Sequence, residues 1–218
     1  MFRDSNVIFE FRGPFGVPVQ IGSSIILLVF LFLSFGTSAT QIYYNAIFLA
    51  LLIGSIFLHE MGHAWGNLVQ GIPVRRIMIY GGGGYCERTR SVSRSQEELI
   101  VAMGPIVNLA IWAVASMAWP YMPEGTLMWA VNMLGWINLF LAGFNMLPVQ
   151  PLDGGKLFQL LLMRFMTPRT ATRVAGAVGL VIAVLWIPMM IFSYLELGLI
   201  LFFIPPFGLH LQMFRQGV

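Results

Sequence analysis

Along most of this chain apolar residues do not alternate with polar ones. They run on, in six stretches at about 22–38, 45–70, 96–120, 126–150, 173–193 and 196–214, each nearly free of charge and bounded by polar, glycine or proline residues. Stretches of about 20 apolar residues match the roughly 30 Å of hydrocarbon in a bilayer. The pattern therefore predicts an all-α polytopic membrane protein with about six transmembrane helices. Near the N-terminus it changes: NVIFEFRGPFGVPVQIG alternates apolar with polar residues around Gly13, Pro14 and Gly16. That rhythm predicts a short β-hairpin over 7–21 at the membrane surface. A signal peptide fits this segment poorly, because Asp4 and Glu10 stand where a leader is basic.

Charge tests the drawing. Six spans put the N-terminus, the second and fourth connections and the C-terminus on one side, and all 12 Lys and Arg fall there, from Arg3 and Arg12 through Arg75–Arg94 and Lys156–Arg173 to Arg215. The opposite loops carry Glu124 and Glu196. An excess of cations marks the cytoplasmic side, so the chain is expected in the cell membrane as a multi-pass protein with both termini cytoplasmic. The last two spans are the least regular, with Pro188, Pro205 and Pro206 interrupting them.

Composition agrees: 58% hydrophobic and 10% charged residues, with a mean hydropathy of +0.81, leave too little polar surface for a soluble globule. A pI near 9.4 does not point to nucleic acid, because the cations are scattered over short loops. The single cysteine, Cys86, excludes an internal disulfide. The expected organisation is one membrane-embedded domain, 1–218, with the hairpin at 7–21, a core at about 45–165 and peripheral helices at about 173–214.

Inside the second apolar run stands FLHEMGHAW, with His59, Glu60 and His63. Each ionisable group at membrane depth costs about 2.5–3.5 kcal/mol on insertion scales, so a compensating role is expected. On a helix, residues four apart lie one turn apart on one face, which lets His59 and His63 bind one ion with Glu60 beside them as a proton acceptor. Catalytic zinc usually takes three protein ligands and keeps one position for water. The segment NMLPVQPLDGG, Asn145 to Gly155, offers Asp153 at the cytoplasmic end of the fourth span. Read alone, Asp153 with Gly154 and Gly155 favours a turn or a helix cap over a ligand. His210, the third histidine, is a competing ligand candidate.

Together, HExxH in one span and NxxPxxPLDGG in a later one resemble the site-2 protease family of intramembrane zinc metalloproteases. MGPIVNL at Met103 to Leu109 is similar to the signature of that family's middle core helix, and RRIMIYGGGGYCERT is similar to its glycine-bearing segment that dips into the membrane near the active site. The resemblance covers most of residues 7–165. It implies that His59, His63 and Asp153 hold one Zn2+, that Glu60 is the catalytic base and acid, and that Asn145 assists near the substrate carbonyl. Asn108 is a candidate for substrate binding or for a hydrogen bond between helices. The glycines at 81–84 lack the ending of a phosphate loop; Gly82 and Gly83 are candidates for an edge that pairs with an extended substrate. The spans leave no room for an inserted PDZ domain, and no nucleotide-sensing domain is expected after the last span, so the resemblance is to a minimal form.

The expected reaction is zinc-assisted hydrolysis of peptide bonds in membrane-spanning or membrane-proximal segments, with Glu60 moving the proton. A helical substrate must unwind before its carbonyls can be attacked. Expected partners are membrane lipid and a transmembrane or membrane-tethered protein, in some cases already cut by another protease. Two alternatives are a metal or proton transporter using the intramembrane histidines and an inactive scaffold that binds membrane proteins. Transport needs neither a Glu directly after the first His nor a distant LDGG, and a scaffold has no need of the whole ligand set.

Overall fold

The structure is a computed structural model that describes residues 6–34, 36, 38–197 and 203–216. The chain divides after Gly143 into two compact units, Phe2–Gly143 and Phe144–Val218.

The first unit opens with the expected hairpin, β1 (Val7–Arg12) and β2 (Pro18–Gly22), followed by a short helix α1 (Ile25–Ser34). The hairpin does not stand alone. β2 pairs in parallel with β3 (Val74–Tyr80), which turns back through Gly81 and Gly82 into β4 (Gly83–Arg88), so the glycine-rich segment completes a four-stranded sheet in the order β1-β2-β3-β4. A largely helical fold is borne out, but the expected lone hairpin and separate loop are one sheet. The reason is alternation on both sides of the pairing: Val19 and Ile21 oppose Ile77 and Ile79 in register. Buried Val17, Val19, Ile77 and Ile79 then form one core with Ile25, Met61 and Ala64. On the other sheet face Arg76 donates to Glu87 at 2.7 Å and to Gln20 at 2.8 Å. Arg75 also reaches Glu87, at 3.2 Å. The hydrogen bond from Arg76 holds the Glu87 carboxyl below its usual range despite some desolvation.

Helix α2 (Ala39–Leu68) starts where the Ser38 hydroxyl accepts the Gln41 N–H, and α3 (Arg94–Ala118) starts at a capping box formed by Ser93 and Gln96. α4 (Thr126–Asn145) ends before Pro148 and Pro151, earlier than the expected residue 150, because proline lacks the N–H that would continue the helix.

In the second unit α5 (Asp153–Leu162) is followed by α6 (Pro168–Leu197) and α7 (Phe207–Gln216). Gln159 ties α5 to α6 by donating to the Thr172 hydroxyl at 2.8 Å. The Trp186 indole donates to the Phe203 carbonyl at 2.6 Å within an aromatic cluster that includes Phe144.

Among the described residues four helices are long and apolar enough to cross a membrane: α2, α3 with its extension to Tyr121, α4, and α6 as far as Ser193. The expected first span, 22–38, contributes the ten residues of α1, about 15 Å of helix and too short to cross alone. Residues 35 and 37 lie outside the described residues, as do 198–202 of the expected last span, whose described helix beyond them is the ten-residue α7.

Candidate metal centre

Helix α2 meets α3 closely because neither puts a side chain at the points of contact. A β-carbon at Gly62 would lie 2.6 Å from the Met103 carbonyl oxygen, and one at Gly104 would lie 2.5 Å from His63 Nε2 and 2.6 Å from His59 Nε2. Pro105 sits inside α3 in the same turn. The HExxH turn is thus pressed against a side-chain-free patch of a neighbouring helix. His59, Glu60 and His63 are 6%, 6% and 9% exposed, whereas Leu58 and Trp65 on the same helix are 41% and 45% exposed. One face of α2 looks into the protein and the other away from it, which is how a spanning helix carries ionisable groups.

The two imidazoles stand edge to face, their centroids 4.7 Å apart. His59 Nδ1 lies 2.5 Å from Asn108 Oδ1, and His63 Nδ1 lies 2.8 Å from the Ile100 carbonyl oxygen. A carbonyl oxygen only accepts, so both Nδ1 atoms carry a proton, and in the neutral imidazoles both Nε2 atoms present lone pairs. Those two Nε2 atoms are 3.0 Å apart. Two lone pairs at that distance repel unless a cation lies between them. Nitrogen ligands about 2.05 Å from a tetrahedral zinc ion sit about 3.3 Å apart, so the pair fits such a metal, and hydrogen bonding at each outer nitrogen is what ligand histidines usually have. Asn67 adds a bond from its amide to the His63 carbonyl at 2.8 Å.

Glu60 lies under the sheet. A β-carbon at Gly84 would fall 2.7 Å from Glu60 Cγ and 3.0 Å from its Oε1, so β4 runs directly over the carboxylate. Cys86, two residues along β4, is pushed up to about 12 by burial and then by the Glu60 charge.

The remaining candidates lie on other elements. Gly82 is exposed in the β3–β4 turn, and Gly83, at φ +125°, begins the edge strand β4. Asn108 is fully buried, with its amide nitrogen donating to Asn138 Oδ1 at 2.7 Å. Asn145 is the half-buried last residue of α4. In the second unit, half-buried Asp153 is the first residue of α5, and the N-cap is Leu152. Pairing of Asn108 with Asn138, which no motif contains, was missed by the sequence reading. The available signal was an asparagine at 138 in an otherwise apolar span.

A model of peptidase family M50 matches residues 47–127 and 121–186, which takes in His59, Glu60, His63 and Asp153. The chain belongs to peptidase family M50. This bears out the resemblance to site-2 proteases. Over 196 residues the M50 chain is 24% identical to a zinc metalloprotease of Methanocaldococcus jannaschii, covering 88% of this chain and 56% of that protein. Over 126 residues it is 28% identical to stage IV sporulation protein FB of Bacillus subtilis, covering 55% and 41%. The chain spans about half the length of the curated relatives it matches. In fold it is similar to the site-2 protease from M. jannaschii, with a TM-score of 0.66, 22% identity, and coverage of 96% of this chain and 93% of that one.

Proposed function

We propose that this M50 chain is an intramembrane zinc metallopeptidase that hydrolyses peptide bonds of membrane-spanning or membrane-proximal segments. The observation that carries the reading is the convergence of His59 Nε2 and His63 Nε2 at 3.0 Å, with buried Glu60 on the same helical turn. Asp153 supplies the third ligand; in support, the family match runs through it. In this reading the two units work as a single domain.

When bound, zinc supplies Lewis-acid activation of water and of the substrate carbonyl. His59 and His63 orient it, each fixed by its Nδ1 bond. Glu60 takes one proton from the attacking water and passes it to the departing amine nitrogen as the C–N bond breaks, so the carboxylate ends the cycle as it began. Asn145 assists at the carbonyl oxygen, and the edge strand at Gly82 and Gly83 receives the unwound substrate. Substrates are transmembrane or membrane-tethered proteins, some shortened beforehand by another protease. The twelve cations on one side of the drawing support six spans with both termini cytoplasmic. Cysteine labelling that reaches Arg75–Arg94 from outside would reject that orientation.

The deciding experiment compares Glu60→Gln with His59→Ala and Asp153→Ala on a transmembrane peptide in bilayers. Glu60→Gln keeps about one zinc per chain and loses about 10²–10⁴-fold in cleavage, while the two ligand variants lose zinc and cleavage together. Normal cleavage by Glu60→Gln removes the peptidase reading. Full zinc in Asp153→Ala removes Asp153 from the ligand set. Metal-driven uptake into vesicles would favour a transporter.

A further inference from the structure

Three helices of the first unit share one buried line of polar side chains. Ser55 lies one turn before His59 on α2, Asn108 one turn after Gly104 on α3, and Asn138 in the middle of α4; Ser55 is 1% exposed and both asparagines are fully buried. The Ser55 hydroxyl donates to the Leu51 carbonyl at 2.7 Å. Asn138 Nδ2 donates to Ser55 Oγ and to the Leu134 carbonyl, both at 2.9 Å. Asn108 Nδ2 donates to Asn138 Oδ1 at 2.7 Å, and Asn108 Oδ1 faces His59 Nδ1.

The direction of this chain is set at its far end. Leu51 O takes the Ser55 hydroxyl proton, which leaves Ser55 Oγ to accept, and Leu134 O can only accept, so the amide nitrogen of Asn138 must point to Ser55 Oγ and Leu134 O and its oxygen toward Asn108. That oxygen can only accept from the Asn108 amide nitrogen, which leaves the Asn108 oxygen to meet His59. An asparagine alone could present either end to an imidazole, because the two ends have the same shape. We propose that Asn138, backed by Ser55, is a positioning residue that locks the Asn108 amide and thereby holds His59 in the Nδ1–H tautomer, with its Nε2 lone pair aimed at the metal position. This rests on the reading of His59 as a ligand. The tautomer itself is measurable without metal or substrate. No member of the line needs to touch substrate; each acts through the next.

The test is ¹⁵N NMR of histidine-labelled, metal-free protein in nanodiscs, together with zinc affinity by competition with a chelator. Wild type is expected to show the His59 proton on Nδ1 alone. Asn138→Leu removes the lock, so His59 should show both tautomers, and zinc affinity should fall about 10–100-fold, as for other residues that orient ligands. Adding Asn108→Asp to Asn138→Leu should restore the single tautomer and most of the affinity, because a carboxylate accepts from Nδ1 through either oxygen. A role confined to helix packing would leave the tautomer alone and would not be rescued by Asn108→Asp. A single Nδ1–H tautomer and unchanged zinc affinity in Asn138→Leu would overturn the proposal. A wild-type spectrum with the His59 proton on Nε2 would overturn it however the variants fold.

Discussion

Helices α2 and α3 meet in much the way that α6 and α7 do. In each pair a glycine removes the side chain that would otherwise hold the backbones apart, and a buried imidazole fills the space: His59 and His63 against Gly104, and His210 against Gly179. His210 is fully buried, more so than either histidine of α2. Yet its chemistry is different. Its Nε2 donates to the Gln150 carbonyl at 3.2 Å, and its Nδ1 finds no hydrogen-bond partner among the described residues, where a β-carbon at Gly179 would overlap the ring. One imidazole spends its proton on a loop carbonyl and packs its other edge on a helix backbone. The other two spend their protons outward and turn their lone pairs toward each other. Burial and a glycine contact therefore do not distinguish a ligand from a packing histidine; the direction of the protons does.

The contrast should show most strongly when the histidines are removed. His63→Ala is expected to bring zinc from about one per chain to near none and to lower cleavage at least about 10²-fold. His210→Ala should keep its zinc and instead lose about 1–3 kcal/mol of stability. Metal analysis and thermal melting on the same samples decide it, and zinc loss in His210→Ala would erase the distinction.

The glycines sharpen the same point at a smaller scale. Gly104→Ala drives a methyl group into both Nε2 atoms and should weaken zinc binding about 10–100-fold. Gly179→Ala overpacks the α6–α7 contact and should cost about 1–3 kcal/mol with zinc affinity unchanged.

The smallest effect is expected on the polar face of the sheet. Glu87→Gln breaks the bonds from Arg76 and Arg75 and should cost up to about 1 kcal/mol at neutral pH, as expected of a partly exposed pair. The folded carboxyl titrates below its unfolded value of about 4.3. Its contribution is thus present above that pH and disappears as pH falls through the folded value. Wild type and variant should converge in melting temperature in acid. A gap that persists there would assign the effect to packing.

Much of this was readable in the chain because local spacing fixes helical geometry: residues 59 and 63 share a face whenever the segment is helical, and a run as long as 45–70 in a bilayer has little alternative to a helix. Alternation likewise marked β1 and β2. What spacing could not supply was pairing between distant segments. The parallel register of Val19 with Ile77, which turned a lone hairpin and a glycine loop into one sheet, joins residues far apart in sequence. The short α1 is also less than its apolar run suggested, since apolar composition sets where a segment can be buried and not how far the helix extends.

The sequence by itself determined the membrane setting, the helix carrying the histidines, and the spacing that sets His59 and His63 on one face with Glu60 beside them, because each depends on residue type and on spacing within one element. Only the tertiary structure decided which nitrogen of each imidazole holds its proton, that Asn108 and Asn138 lie in line with His59, and that Gly104 and Gly84 clear the space around the ligands and Glu60. Those are relations across helices and strands, and a hydrogen bond's direction exists only once both partners are in place.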